Sequence, residues 1–201
     1  MSCATLFYNL TGKRALYNIM PISNIPCIME NGILSYNNIL CNHVSVADPQ
    51  VQQKRNKRIP SGQWLHNYAN LYFDPRNPMM YKRRNEYETL CVLAINSTVL
   101  DIDGVVISDR NAASRFASFG TLTEMQAILD FDTIYMRDWN DNNEYVKTTK
   151  RAIKCAEILV PGKIPPEYII GAYVANSSAE SALLRYGFEK RIKLSPDIFF
   201  R

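Results

Sequence analysis

The sequence predicts one mixed α+β domain, and three observations support this. The chain has 201 residues, of which 47% are hydrophobic, which is enough to bury one continuous core. Short apolar runs are interspersed irregularly with segments of helical spacing and do not follow one another as βαβ units, which favours α+β over a doubly wound parallel fold. No linker, repeat or low-complexity segment divides the sequence, so we expect a single domain over residues 1–201.

Seven strands are predicted from short β-branched or aromatic runs bounded by turn formers. The first lies at residues 16–20. The second, at residues 64–73, ends at Asp74-Pro75, because proline has no N–H to donate to a strand ladder. The other five are predicted at residues 90–95, 105–107, 157–160, 168–174 and 188–192.

Five helices are predicted from helical spacing and capping residues. A short one at residues 25–29 lies between Ser23, as the capping residue, and Gly32, as the C-cap glycine. Residues 42–60 are polar and lack an apolar period, which fits either a helix start or a loop. The remaining helices are predicted at residues 111–116, 123–129, 144–156 and 178–186.

The cysteines and the charge narrow the functional class. The formal net charge of +4 permits a nucleic-acid partner without requiring one. The cysteines are odd in number, scattered and without a C-x-x-C pair, which argues against a disulfide framework or a structural zinc site. They stand at positions Cys3, Cys27, Cys41, Cys91 and Cys155.

Targeting and nucleotide-binding motifs are not found in the sequence. The first residues lack a basic region followed by a long apolar region, and no apolar run approaches the roughly 18 residues that a membrane span needs. We therefore expect an unexported, soluble protein of the reducing cytoplasm. Only two histidines are present, His43 and His66, and neither a G-x-G-x-x-G nor a G-K-[ST] motif occurs, which disfavours metal-cluster, Rossmann and P-loop chemistry.

Glu157 is the sharpest local anomaly, because it opens the apolar strand Ala156-Glu157-Ile158-Leu159-Val160. Burial of an unpaired carboxylate is costly. One interpretation is a strand-end side chain that reaches solvent or pairs with the nearby Lys154. The other is a functional carboxylate held in a pocket.

Two further segments fit ligand binding but also fit ordinary surface. The basic cluster at residues 54–58 includes Arg55 and has the charge and donor geometry for a pyrophosphate, although clustered charges are equally common on nucleic-acid patches and solvated faces. Residues 71–81 combine aromatic, proline and methionine side chains. They fit either a wall against a flat ligand or a stiff loop that plugs the core.

Several dispersed motifs together resemble the DarT family of DNA ADP-ribosyltransferase toxins. The resemblance covers almost the whole chain and is most specific in the pattern H-x-Y-x-x-x-Y-F-x-P-R-[SN]-P-M, followed downstream by the A-E-[FI]-L-V strand. The matching segments are residues 16–25, 32–34, 54–56, 66–68, 72–79, 108–113 and 156–160.

The resemblance implies an ADP-ribosyltransferase fold with a central split mixed or antiparallel sheet flanked by helices. It implies that NAD⁺ is the co-substrate, that no metal takes part, and that Glu157 and Arg55 are the catalytic residues. It further implies that the NAD⁺ site is formed by Asn18, Ile19, Met20, Asn24, Leu34, Arg55, Tyr72 and Met79.

The resemblance also implies single-stranded DNA as acceptor and a macrodomain antitoxin of the DarG type as partner. We expect the segment before Glu157 to present the DNA, using Trp139, Tyr145, Lys147, Lys150 and Arg151 for stacking and phosphate contacts. Asn18 stands where many members have histidine. Because the asparagine form resembles the branch that modifies guanine, we expect guanine as the target, with thymine second.

Two rival functions remain open at this stage. One is ADP-ribosyl transfer to RNA or protein. The other is a non-catalytic nucleic-acid-binding module in which Glu157 is structural.

Overall fold

A computed structural model describes residues 1–41, 43–45, 49–60 and 62–201. The polar segment predicted at residues 42–60 begins at Asn42, which lies outside the described residues.

The body of the molecule is an eight-stranded sheet with the order β10-β9-β4-β1-β3-β7-β5-β6. Its pairings are antiparallel except for β10 with β9, which is parallel. A separate antiparallel pair joins β2 to β8. The strands are β1 (Ala15–Pro21), β2 (Ile33–Leu34), β3 (Tyr68–Tyr72), β4 (Leu90–Asn96), β5 (Val106–Ser108), β6 (Phe119–Gly120), β7 (Glu157–Pro161), β8 (Lys163–Ile164), β9 (Ile169–Val174) and β10 (Ile192–Leu194).

Helices flank the sheet and connect its strands. They are α1 (Cys3–Thr11), α2 (Ile25–Asn31), α3 (Pro49–Arg55), α4 (Pro78–Lys82), α5 (Leu122–Met125), α6 (Phe131–Tyr135), α7 (Glu144–Ile153) and α8 (Ser177–Arg185). The predicted α+β class is confirmed. Among the described residues, no helix is long and apolar enough to cross a membrane.

The sheet buries side chains on both faces, as strand periodicity requires. Along β4, Cys91, Leu93 and Ile95 pack into the larger core, whereas Leu90 and Val92 pack into a smaller cluster on the opposite face. Successive strand residues point to opposite faces. A central strand in this fold is therefore apolar on both faces, and a charged residue on such a strand must find its partners inside the protein.

The predicted helix at residues 111–116 is wrong, since this segment forms turns. The side chain of Asn111 accepts from the Ala113 N–H at 2.9 Å, and Ser114 Oγ accepts from the Phe116 N–H at 3.2 Å. Short polar side chains that bond nearby backbone compete with helix formation in this way. The loop leaves the Ala112 N–H directed at Glu157 rather than at a helical carbonyl.

The expectation that the cysteines form no disulfide is also wrong. Cys27 on α2 and Cys41 form a disulfide across 14 residues of sequence. Cys3, Cys91 and Cys155 are free. The spacing of these two cysteines in the sequence does not predict that they lie close together.

Other differences concern element boundaries. Ser23 lies within a 3-10 turn at Ile22–Asn24, so it does not cap α2. Residues 65–67 of the second predicted strand also form a 3-10 turn, and the last predicted strand begins only at Ile192. Helix α1 was not predicted, although Ser2 caps it and Gly12, at φ 68°, ends it.

Candidate active site

A cavity of about 480 Å³ opens beside β1 and β3. This volume lies within the usual range of small-molecule sites. The described residues between β2 and α3 that line it are Tyr36, Ile39, Cys41, His43 and Ser45. The predicted NAD⁺-site residues that line the cavity are Asn18, Ile19, Met20, Leu34, Arg55, Tyr72 and Met79.

Arg55 and Glu157 form a buried ion pair at this cavity. Arg55 Nη1 donates to Glu157 Oε2 at 2.8 Å and to Oε1 at 3.2 Å. The Glu157 side chain is 0% exposed and that of Arg55 is 9% exposed. Arg55 lines the cavity and Glu157 does not, so the guanidinium covers the carboxylate on the cavity side.

The local fold explains why Glu157 tolerates burial. β7 lies between β3 and β5, where Glu157 is in register with Tyr72 on one side and Ser108 on the other. Its Oε1 also accepts from the Ala112 N–H at 3.0 Å. A buried carboxylate is stable only when it is paired and its lone pairs are bonded, and both conditions are met here.

Lys57 links the loop that contains Ala112 to the end of α3, which carries Arg55. Its Nζ donates to the Ser114 carbonyl at 2.9 Å, which joins the loop containing Ala112 to the segment that carries Arg55. Burial and the nearby Arg55 charge lower the pKa of Lys57. The Arg55–Glu157 geometry is thus held by contacts outside the ion pair.

Lys154 does not pair with Glu157, so that alternative from the sequence is wrong. Its Nζ donates to Asp74 Oδ2 at 2.6 Å and to the Ile134 and Met136 carbonyls at 2.8 and 2.7 Å. Burial lowers the pKa of Lys154. The three bonds fix the chain before α7 against the end of β3.

Asn18 presents an unsatisfied acceptor at the cavity. Its Nδ2 donates to the Asn70 carbonyl at 3.0 Å, and its Oδ1 has no hydrogen-bond partner among the described residues. The residue is 5% exposed. A buried oxygen without a donor costs free energy, and a ligand amide that donates to it removes that cost.

Tyr72 and Met79 line the cavity from β3 and α4. Asn77 caps α4 by accepting from the Met79 and Met80 N–H groups at 3.0 and 3.1 Å. Burial raises the pKa of Tyr72 far above its usual range, so its hydroxyl stays neutral. These two side chains of residues 71–81 therefore face the cavity.

Several lining residues were not identified from the sequence. Tyr36 stacks on His66, with ring centroids 4.5 Å apart, and His66 Nε2 is 3.1 Å from Gln52 Oε1. Burial and the Arg55 charge lower the pKa of His66, so the ring is neutral near pH 7. His66 belongs to the strongest motif of the resemblance, and that was the available signal.

Asn24 does not line the cavity, although it was predicted to bind NAD⁺. Its Nδ2 donates to the Val44 carbonyl at 2.8 Å and its Oδ1 accepts from the Val44 N–H at 3.0 Å. It therefore acts on the site indirectly, by holding the wall segment.

The predicted DNA-binding residues divide into exposed and buried groups. On α7, Tyr145 is 80% exposed and Arg151 is exposed. Lys147 and Lys150 are half-buried and pair with Glu144 and Asp141.

Trp139 is only 9% exposed. It packs edge-on against Tyr81 and Phe200, with centroids at 6.2 and 5.5 Å. Little of its face remains for a nucleobase, which argues against the predicted stacking role.

The described part of the chain contains no group of three or more His, Cys, Asp or Glu side chains placed to hold a metal ion.

Comparison with known proteins identifies the family. A family model described as "ssDNA thymidine ADP-ribosyltransferase, DarT" matches residues 17–200. A DNA ADP-ribosyl transferase–DNA ADP-ribosyl glycohydrolase fusion protein of Thermosipho africanus is 33% identical over 195 residues, which are 93% of this chain and 49% of the relative. The chain thus spans about half the length of that fusion protein.

Comparison with solved structures points to the same family. Thermosipho africanus DarTG in complex with ADP-ribose superposes with a TM-score of 0.79 at 30% identity, over 94% of this chain and 51% of that one. Thermus sp. 2.9 DarT in complex with ADP-ribosylated single-stranded DNA gives 0.78 at 26% identity, over 92% and 96%. The same Thermus protein with NAD⁺ gives 0.74 at 25% identity, over 92% and 97%. These matches confirm the expected ADP-ribosyltransferase fold, and the chain belongs to the DarT family of DNA ADP-ribosyltransferases.

Proposed function

We propose that this chain transfers ADP-ribose from NAD⁺ to a base of single-stranded DNA, as a bacterial toxin acting in the cytoplasm. The observation that carries the proposal is the buried Arg55–Glu157 pair at the cavity of a DarT-family chain. A structural ion pair needs no cavity beside it, whereas a transferase needs a carboxylate next to a bound dinucleotide.

The cavity has the groups that NAD⁺ requires. Arg55 borders the cavity, and its guanidinium is the group proposed to donate to the pyrophosphate. The Asn18 Oδ1 is an acceptor for the nicotinamide amide, and Tyr72 and Met79 supply apolar walls.

The chemistry follows from the position of Glu157. As the bond between nicotinamide and ribose C1′ breaks, its electron pair leaves with nicotinamide and positive charge develops on the ribose. A carboxylate placed beside it stabilises that charge. The base nitrogen then bonds to C1′ and its proton passes to Glu157, a general-base step typically worth about 10²–10⁴-fold.

Because Arg55 covers Glu157 in this structure, productive binding requires the guanidinium to turn toward the pyrophosphate. The phosphate charge replaces the carboxylate as its partner, and Glu157 keeps the bond from the Ala112 N–H. NAD⁺ binding therefore uncovers the catalytic group.

The exposed face of α7 is the proposed approach for DNA. Tyr145 offers a ring for stacking, and Lys147, Lys150 and Arg151 offer charge for phosphates. A single strand is the expected substrate because a base in a duplex is reached only after flipping, which costs a few kcal/mol.

Guanine is the proposed base, with Asn18 as its only support. The matching family model is described by thymidine, so thymine is the direct competitor. A glycohydrolase of the DarG macrodomain type is the proposed antitoxin, since the Thermosipho africanus relative carries a DNA ADP-ribosyl glycohydrolase on the same chain.

The test is to incubate the protein with NAD⁺ and single-stranded oligonucleotides that differ only in base content, and to weigh each strand. The matched control is Glu157→Gln. An ADP-ribosyl adduct on guanine-containing strands alone supports the full proposal, and one on thymine-containing strands alone overturns the base assignment. Intact NAD⁺ and unmodified DNA would favour the binding module, whereas NAD⁺ consumed with an adduct on RNA or protein would change the acceptor.

A further inference from the structure

The Cys27–Cys41 disulfide lies in the wall of the NAD⁺ cavity rather than in the body of the fold. Cys41 lines the cavity and Cys27 lies on α2, outside it. The bond joins the two, so it fastens a stretch of the wall to a helix that packs on the core.

In the described residues of this stretch, 39–41 and 43–45, two side chains are largely exposed. Leu40 is 82% exposed and Val44 is 57% exposed. The contacts that hold residues 39–41 and 43–45 include the Asn24 bonds to Val44 and the disulfide. Ile39, Cys41 and His43 in this stretch all line the cavity, so any loosening here changes the shape of the site directly.

The two paired cysteines are accessible, and two of the free ones are not. Cys27 and Cys41 are each half-buried, within reach of small thiols and disulfides. Cys91 and Cys155 are buried, and burial raises the pKa of each to about 12. Because the thiolate is the reactive form, oxidation is directed to the Cys27–Cys41 pair and away from Cys155 in the cavity.

We propose that Cys27 and Cys41 form a reversible redox-modification site that sets the affinity of the cavity for NAD⁺, with the disulfide as the tight-binding state. This rests on the proposed function in one respect, that NAD⁺ occupies the cavity. A reducing cytoplasm keeps most thiols free, so the crosslink forms when the pool of small-molecule disulfides rises.

The reaction is thiol–disulfide exchange with glutathione disulfide as co-reactant. One cysteine thiolate attacks the glutathione disulfide, forms a mixed disulfide and releases one glutathione. The second cysteine thiolate attacks the protein sulfur of that mixed disulfide and releases the second glutathione. Two protein thiols are oxidised and one glutathione disulfide is reduced, and the two protons lost by the protein thiols are taken up by the two departing glutathione thiolates.

In the reduced state only part of the population holds the wall in its binding geometry, and the apparent dissociation constant rises in inverse proportion to that fraction. We expect reduction to weaken NAD⁺ binding about fivefold or more.

The first measurement counts thiols in the full chain by alkylation and mass spectrometry. After treatment with glutathione disulfide we expect three alkylated cysteines, with a crosslinked peptide containing Cys27 and Cys41, and after reduction we expect five. Five alkylated cysteines after oxidant treatment would overturn the proposal.

The second measurement compares the affinity of the oxidised and reduced chains for a carbocyclic, non-hydrolysable NAD⁺ analogue by calorimetry. The Cys27→Ser/Cys41→Ser chain is expected to bind like the reduced wild type under both conditions, and the control Cys3→Ser to keep the full response.

Equal affinity in the two redox states would overturn the proposed redox control of NAD⁺ binding and leave the proposed function standing. No binding in either state would overturn both.

Discussion

The Arg55–Glu157 ion pair contributes to both stability and activity, and different substitutions at Glu157 separate the two effects. Glu157→Ala removes the counter-charge of Arg55 and the acceptor of the Ala112 N–H together. Breaking a buried ion pair on one side costs about 3–5 kcal/mol. Since a domain is stable by about 5–15 kcal/mol, this is a large share of the folding free energy.

Glu157→Gln is expected to be much milder for folding. The amide oxygen still accepts from the Ala112 N–H, and Arg55, which borders the cavity, can turn its guanidinium toward water. The expected loss is therefore nearer 1 to 2 kcal/mol, by the usual cost of about that size for an impaired buried hydrogen bond. Activity should still fall by about 10²–10⁴-fold, because an amide takes up no proton.

The double substitution Arg55→Met/Glu157→Leu completes the set. Replacing a buried pair with apolar residues of similar volume is often neutral, so this chain should be more stable than Glu157→Ala and still inactive. Urea unfolding gives the stabilities, provided that the slope with denaturant is unchanged. DNA adduct formation gives the activities, and Glu189→Gln, at an exposed position, is the matched control.

Two results would contradict a buried, catalytic Glu157. If the free energy of unfolding of Glu157→Ala lies within about 0.5 kcal/mol of the wild-type value, as for ordinary surface substitutions, the carboxylate is not buried against Arg55. If Glu157→Gln keeps activity close to that of the wild type, Glu157 is a structural residue and the chemistry lies elsewhere.

Three further outcomes are expected. Asn18→Ala should raise the KM for NAD⁺ about five- to tenfold with less effect on kcat, because a lost hydrogen bond is worth about 1 kcal/mol. If initial-rate measurements give an unchanged KM, Asn18 does not bind NAD⁺. Tyr145→Ala should raise the KM for the oligonucleotide and leave the melting temperature unchanged, whereas Trp139→Ala should lower stability by about 3–5 kcal/mol; the reverse pattern would contradict their exposures of 80% and 9%. Burial raises the pKa of Cys91 and Cys155 to about 12, so at high pH the native state holds protons that the unfolded state has lost. The stability that these thiols contribute should therefore be fully present below pH about 9 and be lost as the pH rises toward 12. If Cys155→Ala keeps the wild-type dependence of the free energy of unfolding on pH, measured by urea unfolding, that thiol is not buried.

The strands were predictable because their signal is local. The short runs at residues 90–95 and 157–160 predicted strands that the structure contains within one residue at each end. The single-domain expectation stays a prediction.

The pairing inside the site was not predictable from local pattern. Arg55 and Glu157 are 102 residues apart, and each fitted an ordinary surface or strand-end role when taken alone. Only the resemblance named both as catalytic residues. The register of β3, β7 and β5 sets the position of Glu157, and Arg55 reaches it from the end of α3. Trp139 shows the converse, since an aromatic beside a basic segment has the same local pattern whether it is packed or exposed.

The helix predicted at residues 111–116 is wrong for a physical reason that the active site explains. Its alanines favour a helix, but Asn111 and Ser114 bond the adjacent backbone, and the Ala112 N–H is committed to Glu157. Local propensity gives way where the backbone supports a buried charge.

The most direct test of the central claim measures nicotinamide release and DNA adduct together, with one guanine-containing strand offered first alone and then annealed to its complement. We expect one nicotinamide released per adduct on the single strand, little of either on the duplex, and loss of both in Glu157→Gln. Nicotinamide release that is independent of DNA and persists in Glu157→Gln would contradict it.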